Sequence, residues 1–71
     1  MNLAAFDTRV QELLMRREFG EAEGMIRERM RAEPESADAF YLLGVLHYFQ
    51  GQLGQTVENL KRALSIDPRH T

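Results

Sequence analysis

Residues 40–68, which read FYLLGVLHYFQGQLGQTVENLKRALSIDP, contain two consecutive series of apolar residues at helical spacing. Helical spacing places four residues on one face of a first helix: Phe40, Leu43, Gly44 and His47. The same spacing aligns four more along a second helix: Leu53, Val57, Leu60 and Leu64. Gly51 lies between the two series, where a left-handed residue commonly follows a helix. Because no strand-type alternation occurs, the stretch predicts two consecutive helices.

The chain aligns with itself at an offset of 34 residues, the distance from Pro34 to Pro68. Similar residues recur in the same order: Phe6 with Phe40, Phe19-Gly20 with Leu53-Gly54, Leu13 with His47, Ile26 with Leu60, and Glu33-Pro34 with Asp67-Pro68. The first half shows helical spacing as well, at Phe6, Val10, Leu13 and Leu14 and then at Phe19, Ala22, Ile26 and Met30. The sequence therefore predicts a single domain, residues 1–71, that contains two similar units.

Local signals set the boundaries within the two units, which cover about 3–36 and about 37–70. Pro34 and Pro68 cannot continue the helices that precede them, and Ser36 is suited to cap the helix that follows it. These signals predict helices at about 3–16, 19–32, 37–50 and 53–66, with no strands.

Residues of the second unit carry a family resemblance. Phe40-x2-Leu43-Gly44-x2-His47, followed by Thr56-x3-Leu60, Ala63 and Pro68, resembles the tetratricopeptide repeat. The resemblance implies an all-α fold of two helix-turn-helix repeats, stacked as the start of an α-solenoid. The first unit departs from the family pattern, with Arg9-Val10 in place of Leu-Gly and Arg29 in place of a small residue. We expect the stem of Arg29 to be packed and its head to reach solvent or a carboxylate.

The resemblance also implies a function, binding of a partner's peptide or helix on the concave face that the first helix of each repeat lines. The predicted contact residues are Asp7, Gln11, Leu14, Met15, Asp38, Tyr41, Val45, Tyr48 and Phe49. Some family members clamp a chaperone's terminal carboxylate with basic and amide side chains, but Asp7, Gln11, Asp38 and Leu42 occupy those positions here. We therefore expect a scaffold or adaptor that binds a helix or an extended segment with apolar anchors.

Self-association is the alternative function. The helix predicted at 37–50 is apolar on every side, and its own hairpin partner and the preceding unit cannot obviously cover all of it. A partner protein, a further repeat or another copy of the chain would cover the rest. We expect these residues to be the amino-terminal part of a longer tetratricopeptide protein, and the isolated chain to associate through Leu53, Val57, Leu60 and Leu64. The domain would then serve homo-oligomerisation, or docking within a larger enzyme.

Charge and apolar length argue against nucleic-acid and membrane partners. Nine basic and eleven acidic residues give the 71-residue chain a net charge of -2, and glutamates interrupt the basic run at Arg27, Arg29 and Arg31. The uncharged section from Ala39 to Val57 has an apolar part that is too short for a membrane span. The first residues lack the pattern of an export signal, which predicts a cytoplasmic protein.

The sequence offers little for catalysis, so we expect no enzyme activity, no cofactor and no metal. There is no cysteine, and Gly51-x2-Gly54 reads as an interhelical turn rather than a phosphate loop. His47 lacks a second ligand at metal-binding spacing on its helix, so we interpret it as a packing residue.

Overall fold

Turn residues and helix caps divide residues 3–68 into four helices. A computed structural model describes the backbone of residues 3–68 and the side chains of residues 6–68. Its helices are α1 (Leu3–Met15), α2 (Phe19–Ala32), α3 (Ala37–Phe49) and α4 (Leu53–Ile66), and the described residues contain no strand. Every helix end lies within one residue of its predicted position. The predicted all-helical class is therefore confirmed.

Ser36 begins α3 as predicted. Its Oγ accepts a hydrogen bond of 3.2 Å from the backbone N–H of Ala39, which satisfies one of the donors that a helix leaves open at its first turn. Gly51, between α3 and α4, has a φ of 76°, in the left-handed region. Both local predictions are confirmed.

The backbone repeats at the 34-residue offset. α3 begins and ends 34 residues after α1, and α4 does the same relative to α2. The residue after α2, Glu33, has φ -135° and ψ 86°, and Asp67 after α4 has φ -137° and ψ 98°. Arg17 adopts a left-handed φ of 61° at the position that corresponds to Gly51. The two hairpins thus share their turn geometry as well as their helix lengths.

α3 lies at the centre of the helix packing. It contacts α1, α2 and α4, whereas within residues 3–68 α4 packs against α3 alone. The largest fully buried side chains come from the first three helices: Val10, Leu13, Leu14, Ile26, Leu42 and Leu46. This central position explains why α3 is apolar on several sides, because it buries residues against helices of both hairpins.

Gly44 allows the close packing of α3 on α4. A Cβ atom on Gly44 would lie 3.1 Å from Leu60 Cδ2 and 3.3 Å from the backbone oxygen of Thr56. Thr56 and Ala63 are the buried residues of α4, and both are small. Small side chains on both helices therefore let the two backbones approach each other.

Arg29 is held inside the first hairpin. Its guanidinium carbon lies 4.9 Å from the centre of the Phe6 ring, and its Nε lies 3.7 Å from Glu33 Oε2. The predicted packed stem and carboxylate partner are confirmed. The head does not extend into solvent, however, because only 9% of the side chain is exposed.

None of the helices in the described part of the chain combines the length and apolar character needed to cross a membrane.

Candidate partner-binding surfaces

An open cleft lies between α1 and α3 on one side of the molecule. Its volume is about 250 Å³, and its walls come from seven residues, which we call the α1–α3 cleft: Gln11, Leu14, Met15, Tyr41, Leu42, Val45 and Phe49. Three of them lie on α1 and four on α3, so the contact between the two helices creates the site. The lining is mainly apolar, with the amide of Gln11 and the hydroxyl of Tyr41 as its polar groups.

The structure brings six of the nine predicted contact residues together in this cleft: Gln11, Leu14, Met15, Tyr41, Val45 and Phe49. Their side chains are not equally available to a partner. Met15 is 78% exposed and Phe49 40% exposed, whereas Leu14 is 1% exposed. Leu14 therefore forms the floor of the cleft and supports the others, rather than offering contact area of its own.

The other three predicted residues, Asp7, Asp38 and Tyr48, lie outside the cleft lining. Asp7 Oδ1 accepts a hydrogen bond of 3.1 Å from Gln11 Nε2, which links this carboxylate to the cleft. Asp38 lies half-buried in the first turn of α3, where a carboxylate interacts favourably with the helix dipole. These positions place one acidic group beside the cleft and another at the start of one of its helices.

Three aromatic rings meet near the end of α3. The Tyr48 and Phe49 rings are 6.1 Å apart in an edge-on arrangement, and the Phe19 ring of α2 lies 6.5 Å from that of Phe49. Tyr48 is 62% exposed. An exposed aromatic ring supported by its neighbours offers contact area at little cost in side-chain entropy.

A second and larger cleft was not predicted from the sequence. It lies between α1 and α2, has a volume of about 730 Å³, and is lined by Phe6, Glu21, Gly24, Met25, Glu28, Arg29 and Ala32. We call it the α1–α2 cleft. Gly24 opens it, since nothing lies within 4 Å of the Cβ that this residue lacks. A glycine in a helix interior is unfavourable for the helix, so Gly24 is the signal in the sequence that could have indicated the site.

The second hairpin is built differently at the corresponding place. Glu58 and Ile66 stand where the first hairpin has Gly24 and Ala32. The guanidinium of Arg62 lies 5.6 Å from the centre of the Phe40 ring. The α1–α2 cleft is therefore a feature of the first hairpin and not a property of the shared backbone.

A third surface is the ridge of four apolar residues along α4, Leu53, Val57, Leu60 and Leu64, which we call the α4 ridge. Leu53 is 60% exposed, Val57 49% and Leu64 48%, whereas Leu60 is half-buried against Gly44. The corresponding residues of α2 include Phe19, Ile26 and Met30, which belong to the core or pack against it. The outer face of α4 lacks the cover that α2 has.

Three side chains of types that are common in catalytic or nucleic-acid sites, His47, Arg27 and Arg31, have structural partners. His47 Nδ1 is hydrogen-bonded to Gln52 Oε1 at 2.7 Å, across the turn between α3 and α4. Arg27 and Arg31 pair with Glu23 and Glu28 at 2.8 and 2.9 Å on the exposed side of α2. No group of three or more metal-ligating side chains occurs among the residues that the structure describes.

No model of a known protein family matches the chain, and neither does any curated protein.

Proposed function

We propose that this chain is a protein-interaction module that binds a helix or peptide of a partner protein in the α1–α3 cleft. The observation that carries this proposal is the cleft itself, an open apolar site formed by positions that the repeat pattern assigns to a binding face. In this proposal the two hairpins are tetratricopeptide-type repeats at the start of an α-solenoid. The matching helix lengths and turn geometry support that view.

The size of the cleft favours side-chain anchors over a small molecule. Pockets for small ligands usually enclose about 300–1,000 Å³ and bury most of the ligand, whereas this cleft is open and encloses about 250 Å³. A partner would insert one or two apolar side chains against Val45 and Phe49. A basic residue of the partner could then reach Asp7, which lies beside Gln11.

The proposed role is that of a scaffold or adaptor in the cytoplasm, and no catalytic, nucleic-acid or membrane role is proposed. His47, the residue type most often used for proton transfer, is hydrogen-bonded to Gln52 across a turn. The site also lacks a cluster of ionisable groups, because none of the residues lining the α1–α3 cleft is charged at neutral pH.

Selection of helical peptides from a displayed library tests the proposal. Met15 lines the cleft and is 78% exposed, so Met15→Glu places a carboxylate at the binding surface without disturbing the core. Gln55→Glu makes the same charge change on an exposed position of α4 and serves as the control. Selected peptides should lose at least about tenfold in affinity with Met15→Glu, equivalent to about 1.4 kcal/mol, and should bind the control as tightly as the original chain. Equal binding to both variants would place the peptide site elsewhere.

Self-association is the second candidate function, and the exposed α4 ridge favours it. Apolar side chains at Leu53, Val57 and Leu64 form a contiguous stripe along α4, which is the kind of surface that marks an interface. The double substitution Tyr41→Ala/Tyr48→Ala separates the two functions. Loss of peptide binding with unchanged oligomer mass supports the adaptor, whereas a change in mass would connect these tyrosines with assembly.

A further inference from the structure

Two apolar surfaces of this chain, the α4 ridge and the α1–α2 cleft, have no counterpart within residues 3–68. The α4 ridge is exposed, because within the described residues α4 packs only against α3. The α1–α2 cleft is concave, and Gly24 and Ala32 keep it open along α2. Small residues of this kind let another helix approach closely.

The two surfaces match in length. The ridge extends from Leu53 to Leu64, and the part of α2 that lines the cleft extends from Glu21 to Ala32. Each spans eleven residue steps of an α-helix, or about 16 Å at 1.5 Å per residue. The whole ridge could therefore lie along the cleft.

Their charges are also complementary. Glu21 and Glu28 lie on the cleft, two helical turns apart, and Lys61 lies next to the ridge on α4. Glu28 is paired with Arg31. Neither Glu21 nor Lys61 forms an ion pair with another residue that the structure describes, and both are exposed. Contact between the two surfaces would bring Lys61 beside the ridge close to the glutamates of the cleft.

The back of α1 does not offer such a counterpart. Thr8 and Glu12 are exposed there, at the positions where α3 has the buried residues Leu42 and Leu46. Both surfaces carry carboxylates, but in the α1–α2 cleft Phe6, Met25 and Ala32 supply apolar contact area beside them, which Thr8 and Glu12 do not. The α1–α2 cleft is the better receptor because its lining is mainly apolar.

We propose that the α4 ridge of one copy docks in the α1–α2 cleft of a second copy, with Lys61 close to Glu21. The proposal deepens the second candidate function, self-association, by naming the surface that receives the ridge. It does not involve the α1–α3 cleft. Because ridge and cleft are different surfaces, the contact is head-to-tail, and a dimer keeps one free ridge on one copy and one free cleft on the other. Assembly continues beyond a dimer as the concentration rises.

Two substitutions block the two surfaces separately. Gly24→Arg places a long cation in the cleft, where Glu21 and Glu28 are within reach at i-3 and i+4. Gly20→Arg is its control, because Gly20 also has open space around its missing Cβ but does not line the cleft. Val57→Glu puts a charge in the middle of the ridge, and its control is Gln55→Glu, another exposed position of α4.

Sedimentation equilibrium of the full chain measures the result, with circular dichroism to confirm that each variant is helical. The original chain and both controls should rise in average mass from 8.2 kDa to more than twice that value by about 1 mM, since a single-helix contact is small and weak. Gly24→Arg and Val57→Glu should each remain monomeric. An equimolar mixture of the two should form a 1:1 dimer and stop there, because only one intact ridge and one intact cleft can meet.

The possible results distinguish the proposed ridge-to-cleft contact from other modes of self-association. If Gly24→Arg associates as the original chain does while Val57→Glu is monomeric, two ridges pair with each other and the proposed pairing is wrong. If the original chain stays monomeric at every concentration, both the pairing and the second candidate function fail. Reversal of the charges supplies an independent check. Lys61→Glu and Glu21→Lys should each weaken association, and the double variant should restore it; failure of the restoration would overturn the assignment of this contact.

Discussion

Gly44 offers the sharpest test of how the second hairpin is packed. Replacement by alanine adds one methyl group at a point where the Cβ would lie 3.1 Å from Leu60 Cδ2, 3.2 Å from Leu60 Cγ and 3.3 Å from the backbone oxygen of Thr56. The leucine side chain can shift, but the carbonyl moves only if α4 moves with it. The substitution should therefore push α3 and α4 apart.

Two opposing effects set the magnitude. Alanine is better than glycine in a helix interior by about 1 kcal/mol, and overpacking of a close contact costs about 1–3 kcal/mol. The net loss for Gly44→Ala should lie between about 0 and 2 kcal/mol. Gly24→Ala is the reference without steric crowding, because nothing lies within 4 Å of the added Cβ. This variant should show only the gain of about 1 kcal/mol in helix propensity, so the difference between the two variants gives the steric cost at Gly44.

The difference between the two variants is thus predicted to be about 1–3 kcal/mol, with Gly24→Ala the more stable. Urea unfolding followed by circular dichroism measures both free energies, and thermal unfolding should show a gap of about 4–8 °C per kcal/mol for a domain of this size. If Gly44→Ala gained as much stability as Gly24→Ala, the close approach of α3 and α4 at this glycine would be refuted.

Other substitutions test particular features of the two hairpins by the same unfolding measurements. Arg17→Gly should stabilise the protein by about 0.5–1 kcal/mol by relieving the left-handed backbone at φ 61°, and an unchanged midpoint would mean that this turn is not strained. Gly51→Ala should cost about 1 kcal/mol, because φ is 76° there and no side-chain contact contributes. Ser36→Ala should cost about 1 kcal/mol through loss of the cap at α3; Ser36→Asp should keep most of that stability. Leu46→Ala should cost about 2–5 kcal/mol because Leu46 is fully buried, and a smaller loss would mean that α3 is less enclosed than its burial indicates.

The helix boundaries could be predicted because local residues determine them. Pro34 and Pro68 stop the helices before them, Ser36 caps α3, and Gly51 takes the left-handed turn. Arg17 gave no such signal, because an arginine rarely adopts this conformation. Only its alignment with Gly51 at the 34-residue offset could have indicated it.

The solvent exposure of the site residues could be predicted only in part, because exposure depends on which other helix covers each position. Leu14 and Tyr48 are equivalent in the two units, yet Leu14 is buried and Tyr48 is 62% exposed. Leu14 is enclosed because α1 packs against both α2 and α3. Tyr48 is not enclosed, because in the described chain no further helix follows α4 to cover it. Spacing within one helix identifies a shared face but does not reveal its neighbours.

The α1–α2 cleft could not be derived from the pattern that the two units share. It arises from the residues in which they differ, Gly24 and Ala32 in one hairpin against Glu58 and Ile66 in the other. A repeat alignment emphasises similar positions and passes over such differences. Comparison of unlike positions at the same offset is the step that would have found the cleft.

Binding of a partner segment in the α1–α3 cleft can be observed residue by residue with NMR. Amide spectra of the ¹⁵N-labelled chain, recorded while a peptide from the displayed library is added, report which residues the peptide contacts. The largest shift changes should fall on Gln11, Met15, Tyr41, Val45 and Phe49, and Met15→Glu should abolish them. Shift changes confined to the α1–α2 cleft or the α4 ridge, with the α1–α3 residues unchanged, would contradict binding at this site.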